Sequence, residues 1–475
     1  MMWDDLANAK LTRRRAIVSG AAALAGGASI VNQLALGVGS PPSDAGPVQA
    51  NEPLPPAEAG RDYNPVRTPN GETLAWKLVD GVKVFHLVAH EFVHEFAPGL
   101  VARVWGYNGR TPGPTIEVGE GDRLRFYLTN RLPAPTTIHW HGLLLPNGMD
   151  GVSGLNQRPV QPGETVVYDF TTRQSGTSMY HSHFDEMTQQ ALGLVGMFVI
   201  HPRAVPPEKR PHRDFVLMTH EWRIDPGTSR PDPTEMTDFN VLTFNGKAFP
   251  GTEPLVVRLG ERVRIRLGNL SPMSHHPIHL HGYHFRVTET GGGLVPDSAQ
   301  VPDATVLVPV GSTRAIEFVA DARGDWALHC HMSHHTMNQM GHRLPNVIGV
   351  DTAGLDAKVR RLLPGYMSMG RAGMGGMGEH AAHMGVPENS IPMLGAPGPL
   401  AYIDMGGMFT VLKVRRDVNN YDDPGWYEHP EGTLASVATE EALHRDGIDV
   451  ERVPTPPPVT KPAEDRAAAG GHEHH

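Results

Sequence analysis

The chain has 475 residues, 39% hydrophobic and 19% charged, with a formal net charge of -10. That length allows two to four domains, each with its own core. The composition is that of a globular chain, and the acidic balance excludes the basic face that a nucleic-acid partner would need.

The N-terminal stretch Thr12-Arg13-Arg14-Arg15-Ala16-Ile17-Val18 reads as a twin-arginine signal. A small-residue apolar run follows it to about Ile30, too short and too glycine-rich to span a membrane. Val48-Gln49-Ala50 is a candidate cleavage site. Residues 1–50 are therefore expected to be signal and linker, and residues 51–72, rich in Pro, Gly and Ala, a further linker. The mature chain is expected to have no membrane span. Export by this route would take it, already folded, to the periplasm or the exterior of a prokaryotic cell.

From about Thr73 the pattern becomes alternating strands and turns, as the abundant Gly (53) and Pro (43) also suggest. Two stretches repeat each other. Pro114-Thr115-Ile116-Glu117-Val118-Gly119 leads through Arg123-Leu124-Arg125-Phe126 to Asn130, and Pro254-Leu255-Val256-Val257-Arg258-Leu259-Gly260 leads through Val263–Leu267 to Asn269. His139-Trp140-His141-Gly142 follows the first, and His279-Leu280-His281-Gly282 the second. Each copy then carries a second His-x-His, at His181-Ser182-His183 and at His329-Cys330-His331. Residues 193–200 close the first copy, and 405–412 resemble them. The chain is thus expected to be all-β, with two copies of one β-sandwich over 73–207 and 208–416. The second copy carries an insertion over 364–400 with Met367, Met369, Met374, Met377, Met384, His380 and His383. Residues 417–475 form an extension with one short helix near 439–444 and a disordered end.

On a strand, residues i and i+2 share a face and i+1 points away. Each His-x-His therefore aims two imidazoles at one side, roughly 6–7 Å apart. Four pairs give eight histidines, and imidazole suits copper, zinc, iron and nickel. Cys330, the only cysteine, must face away from His329 and His331. It can then ligate one metal while its neighbours ligate others. Parity puts His276 on the cysteine side, and His335 and Met340 follow in the loop after the strand. Two His, one thiolate and a distant Met form the blue-copper ligand set. The first copy has Thr136, Ser182, Met187 and Leu192 at the matching positions, so it keeps its four paired histidines and lacks that set.

These motifs resemble the multicopper oxidase family, over about residues 73–416, and the spacing is similar to its two-domain laccase branch. The resemblance implies two cupredoxin-like Greek-key β-sandwich domains and four coppers per chain equivalent. It implies a type 1 copper on His276, Cys330, His335 and Met340, and a type 2 copper on His139 and His279. The type 3 pair would take His141, His181, His183, His281, His329 and His331. It further implies a homotrimer in which domains of adjacent chains meet. O2 would be the acceptor and a small phenolic molecule or a metal ion the reductant. Asp150 resembles the family's acid near the type 2 copper and is expected to relay protons. A second family acid, two residues after His-Cys-His, is Ser333 here, and Asp185 or Glu186 is a candidate substitute.

Other features carry less. His90-Glu91-Phe92-Val93-His94 fits a zinc-protease motif that works only on a helix, and here it lies in an alternating, strand-like run. The terminal Gly471-His472-Glu473-His474-His475 is best read as a solvated tail. Thioethers favour Cu(I), so the methionine-rich insertion is either a cuprous-ion capture site or gate, or a lid over an apolar rim. Two enzyme readings result, a laccase-like oxidase of phenols and a cuprous oxidase of copper tolerance. A non-catalytic copper binder is the third. A copper nitrite reductase would need its blue copper in the first domain, where the ligands are missing.

Overall fold

Alternating burial builds the strands. Along Arg123–Asn130 every second residue (Leu124, Phe126, Leu128 and Asn130) is fully buried, while Arg123 and Tyr127 are exposed. Each such large apolar side chain contributes about 1.5–3 kcal/mol on burial. The computed structural model describes residues 54–339 and 388–455 and the isolated positions 354, 357, 358 and 361. The twin-arginine segment, Met340, Met367, Met369, Met374, Met377, Met384, His380 and His383 of the insertion, and the terminal histidines lie outside the described residues.

The first half holds β1 (Trp76–Val79), β2 (Val82–Ala97), β3 (Leu100–Tyr107), β4 (Gly113–Gly119), β5 (Arg123–Asn130), β6 (Thr165–Thr171), β7 (Gly176–His181), helix α1 (Glu186–Ala191) and β8 (Val195–His201). A sheet ordered β1-β2-β5-β6, with β3 also on β2, faces a sheet ordered β4-β8-β7. Phe85, Phe126, Trp140, Tyr168 and Phe198 fill the space between them.

The second half holds β9 (Arg213–Trp222), β10 (Val241–Phe244), β11 (Leu255–Arg258), β12 (Arg262–Asn269), β13 (His276–Leu280), β14 (Phe285–Thr290), β15 (Gly293–Leu294), β16 (Pro302–Asp303), β17 (Thr305–Val308), β18 (Ser312–Val319), β19 (Gly324–Cys330), β20 (Ala396–Pro397), β21 (Tyr402–Ile403) and β22 (Phe409–Arg415). Here β10-β9-β12-β18-β14 faces β11-β22-β19-β13-β17, around a core that includes Ile265, Ile278, Phe285, Ile316 and Leu412. The described residues are thus all-β apart from short helical turns. The predicted helix in the extension is α2 (Glu440–Arg445), capped by the Thr439 side chain, which accepts from Ala442 N.

The repeat extends to pairing and side chains. β4 pairs β8 in parallel as β11 pairs β22. Asn130 donates to the carbonyls of Ala134 and Val160 and accepts from Leu132 N. Asn269 does the same with Ser274, Val308 and Ser271 N. In both copies one buried amide closes the loop that leads into the first His-x-His.

The two sandwiches pack through Met179, Val195, Met197 and Val199 against Val216, Met218 and Leu270. Buried Arg266 adds a polar tie. It grips Asp214 with two nitrogens and Glu289 with a third, and it also donates to Thr177 Oγ1 of β7. The stretch after residue 53, expected to be linker, is folded. Tyr63 and Val66 are buried, Val66 N donates to Glu117, and Arg67 pairs with Glu253. Proline and glycine removed the periodic signal there, while the scattered apolar side chains still found a groove.

Candidate metal centre

The strand geometry separates two kinds of site. Cys330 ends β19 fully buried, with its Sγ 3.4 Å from Nδ1 of His335 and 3.7 Å from Nδ1 of His276. The two nitrogens are 3.2 Å apart. His276 opens β13, one residue-pair from Cys330 across the ladder, where Ile278 faces Cys330. Its Nε2 bonds the Ser271 hydroxyl at 2.7 Å, which leaves Nδ1 free to face the sulfur. His335 sits in the 3-10 turn Ser333–Thr336, and its carbonyl accepts from Met408 N at 3.0 Å. Gly407 makes that contact possible: its φ is +57°, and a β-carbon there would lie 2.4 Å from the His335 oxygen.

The paired histidines line the opposite face. In the first sandwich, His139 pairs with His181 across an isolated bridge; in the second, His279 pairs with His329. The residues between them point inward: Trp140, Ser182, Leu280 and Cys330 are all buried. Backbone carbonyls fix the rings, and since a carbonyl only accepts, the bonded nitrogen carries the proton and the other is free for a metal. His139 Nδ1 donates to Asp150 O (2.9 Å), His181 Nδ1 to Ser182 O (2.8 Å), His279 Nδ1 to Ala304 O (2.7 Å) and His329 Nδ1 to Cys330 O (2.9 Å). His141 is turned the other way, donating from Nε2 to Gly311 O (2.8 Å), with Nδ1 3.3 Å from His181 Nε2. His281 Nε2 lies 3.1 Å from His329 Nε2. His183 stands with its ring 5.4 Å from that of His139, and His331 5.4 Å from that of His279.

Two four-histidine sets therefore form, one per sandwich. Among the described residues no ring of one set contacts a ring of the other within the chain. The donor chemistry fits metal. Ligand atoms of His139, His141 and His181 lie within 4.8 Å of one another, as do those of His276, Cys330 and His335. Burial lowers His181 to about 3, His276 well below its ordinary value, and His141, His281 and His329 in the same direction. These rings are held neutral, the form that ligates. Burial, chiefly, pushes the Cys330 thiol up to about 12, so binding must displace its proton. Two imidazoles and a thiolate, with no fourth strong donor among the described residues, suit copper.

The acids are also placed. Asp150 Oδ1 is 3.4 Å from His139 Nδ1, and Oδ2 accepts from Asn156 at 3.2 Å. Glu186 lies 3.8 Å from both His181 Nδ1 and His183 Nε2, so of the two substitutes considered it is the one beside the imidazoles. Asp185 precedes the helix in a left-handed conformation.

The first sandwich fills the position of the cysteine site differently from expectation. Met187 is 51% exposed and takes no part. Buried Gln189 occupies the space instead: its Oε1 accepts from Thr136 Oγ1 (2.8 Å) and Ser182 Oγ (2.6 Å), and its Nε2 donates to Pro135 O. Counting five residues from Ser182 missed it because α1 carries the chain through a helical turn, which brings residue 189 inward. The zinc-protease motif lies on β2, as its alternation implied. His94 donates to Gly246 O at 2.7 Å, and Glu91 pairs with Arg103 and Arg230.

Two consecutive stretches, residues 92–205 and 225–349, match family models both described as multicopper oxidase, and together they make up about half of the chain. A copper resistance protein A of Pseudomonas syringae pv. tomato is 28% identical over 318 residues, 57% of this chain and 50% of that protein. Laccase-15 of rice (Oryza sativa subsp. japonica) is 32% identical over 232 residues, 45% of this chain and 38% of that protein. The chain thus spans about half or less of the length of these curated relatives. Among solved structures, a multicopper oxidase called mgLAC superposes with a TM-score of 0.52 at 26% identity, covering 72% of this chain and 91% of that one. A blue copper oxidase from Nitrosomonas europaea gives 0.52 at 24% identity with the same coverage, a likeness of fold.

Proposed function

The chain belongs to the multicopper oxidase family, and from that premise we propose that it couples one-electron oxidation of a small reductant to four-electron reduction of O2 to water. The observation that carries this reading is the convergence of Cys330 Sγ with Nδ1 of His276 and His335, while His329 and His331 face the other way. Bound copper would supply single-electron acceptance at the sulfur site and multi-electron reduction of O2 at the histidine cluster.

The chain's own residues divide that work. His276, Cys330 and His335 would hold the type 1 ion, with Met340 as a further ligand. The Cys330 backbone continues into His329 and His331, so the route between the sites is covalent. His139 and His279 would hold the type 2 ion. His141, His181, His183, His281, His329 and His331 would hold the type 3 pair, four ions in all per chain equivalent. Asp150, beside His139, hands on protons at its carboxylate. Since the two four-histidine sets do not meet within one chain, each is completed by another copy, and a homotrimer with domains of adjacent chains in contact satisfies that need. Export by the twin-arginine route, to the periplasm or the cell exterior, accords with loading metal in a folded chain.

The reductant is a phenolic or similar aromatic donor in the laccase-like reading, which the resemblance to Laccase-15 supports. The second reading is a cuprous oxidase. Six methionines in the insertion and two copper resistance proteins A among the relatives favour it. Metal analysis with optical and EPR spectra, followed by O2 uptake with a phenol and with Cu(I), tests the oxidase. A fully copper-loaded chain that consumes no O2 with either would leave only a copper-binding protein. Deleting residues 366–384 separates the two substrates: selective loss of Cu(I) turnover supports the cuprous reading, and unchanged Cu(I) kinetics removes it.

A further inference from the structure

The two sandwiches supply an internal comparison that isolates what is special to the cysteine site. In β2, Ala89 pairs with Asn130, and in β9, Thr219 pairs with Asn269. Two residues further on, the equivalent positions are Glu91 and Glu221. Both copies keep the asparagine that closes the loop. The glutamates differ in what they do. Glu91 is partly exposed and neutralised by Arg103 and Arg230. Glu221 is 1% exposed. Its Oε1 accepts from Met273 N and Ser274 N, each at 2.8 Å. Among the described residues no Lys, Arg or His side chain pairs with it; Arg223, just past the end of the strand, is taken by Asp225 and Asp238. Burial pushes the Glu221 carboxyl above the ordinary carboxylate range, while the Ser274 hydroxyl and the two N–H donors on its Oε1 oppose that shift by favouring the ionised form. Met273 and Ser274 belong to the loop that delivers His276. The same loop carries Ser271, whose hydroxyl anchors His276 Nε2; the first copy has buried Leu132 at that position. The buried glutamate and the serine thus occur only in the sandwich that has the thiolate site, both on the loop that leads into His276 or bonded to it.

We propose that Glu221 and Ser271 are positioning residues of the type 1 site: Glu221 pins the loop so that His276 presents Nδ1 to Cys330, Ser271 locks the ring, and the unpaired carboxylate of Glu221 holds the site's reduction potential down. A negative charge in a poorly screened interior favours the more positive, oxidised form of a nearby metal. Outer partners of this kind fix ring orientation and tune the metal. The inference rests on the copper reading above.

A redox titration of the blue absorption band in the copper-loaded full chain tests it, with EPR of the same samples. Glu221→Gln, which keeps an acceptor and removes the charge, should shift the potential upward. Glu221→Asp should stay nearer the parent, and Glu91→Gln should leave the potential unchanged. Ser271→Ala should shift the band and the copper hyperfine splitting. A blue Glu221→Gln protein with the parent's potential, or an equal shift in Glu91→Gln, overturns the proposal. Should Glu221→Gln fail to load copper, Ser271→Ala decides, and parental spectra there would overturn it. A parent chain that binds copper without any blue band would instead strike the copper reading itself.

Discussion

The ring of His329 donates from Nδ1 to the carbonyl of Cys330, 2.9 Å away, while the sulfur of that cysteine faces His335 on the other side of the strand. One residue is thus joined to both sites, by its side chain to one and by its backbone to the other. Cys330→Ser should abolish the blue band and depress oxidase turnover by at least about a hundredfold, since losing even an outer partner of a ligand costs 10–100-fold. The eight paired histidines do not depend on the sulfur, so the EPR signal of the type 2 ion should persist. Optical and EPR spectra of the variant check both halves of that expectation.

Gln189 satisfies two buried hydroxyls, Thr136 and Ser182, where the second sandwich has His276 and Cys330. Gln189→Ala would remove the shortest hydrogen bond of each hydroxyl, leaving them a 3.2 Å contact with each other, would take the donor from Pro135 O, and would open a cavity. The expected cost is about 1–3 kcal/mol, read as a lower midpoint in chemical denaturation. The potential of the type 1 site should not move, because it lies in the other sandwich.

The histidine pairs, the outward cysteine and the repeat that ends in Asn130 and Asn269 were legible because they depend on strand parity, a local property with period two. Gln189 was not, since its role depends on how a short helix turns the chain. Glu221 was equally hidden. Glu91 and Glu221 look alike in sequence, and only the environment across the ladder makes one a surface ion pair and the other a buried cap. The separation of the two histidine sets within one chain also escapes a linear reading, which lists ligands without saying whether they meet. The folding of residues 54–72 followed no periodic pattern, so composition alone suggested a linker.

Gly407 lies against His335 in a left-handed conformation (φ +57°), and an added β-carbon would meet the His335 carbonyl at 2.4 Å. Overpacking of this kind costs about 1–3 kcal/mol, and the left-handed backbone adds to it for any residue with a β-carbon. Gly407→Ala should therefore lower stability and displace His335, weakening the blue band at equal copper content. Thermal denaturation followed alongside the absorption spectrum measures both, and an unperturbed spectrum would show that His335 is held by other contacts.

Acid should destabilise the fold through His94, which is not one of the candidate ligands. Burial, with help from Lys247 and Arg110, lowers His94 from an ordinary value near 6.5 to about 4, and its Nε2 donates to Gly246 O as a neutral ring. Above pH 6.5 the ring is neutral both folded and unfolded, so its contribution is fully present. As pH falls from 6.5 to 4 the unfolded chain binds a proton that the folded chain refuses, and stability declines. The interval corresponds to a loss of up to about 3 kcal/mol. Glutamine at this position can still donate to Gly246 but cannot titrate. Denaturant unfolding of the copper-free parent and His94→Gln at pH 7.5, 6, 5 and 4.5 isolates the effect, because every other histidine titrates alike in both. The gap between the two proteins should close or reverse as pH drops, and parallel curves would mean that His94 titrates equally in the folded and unfolded states.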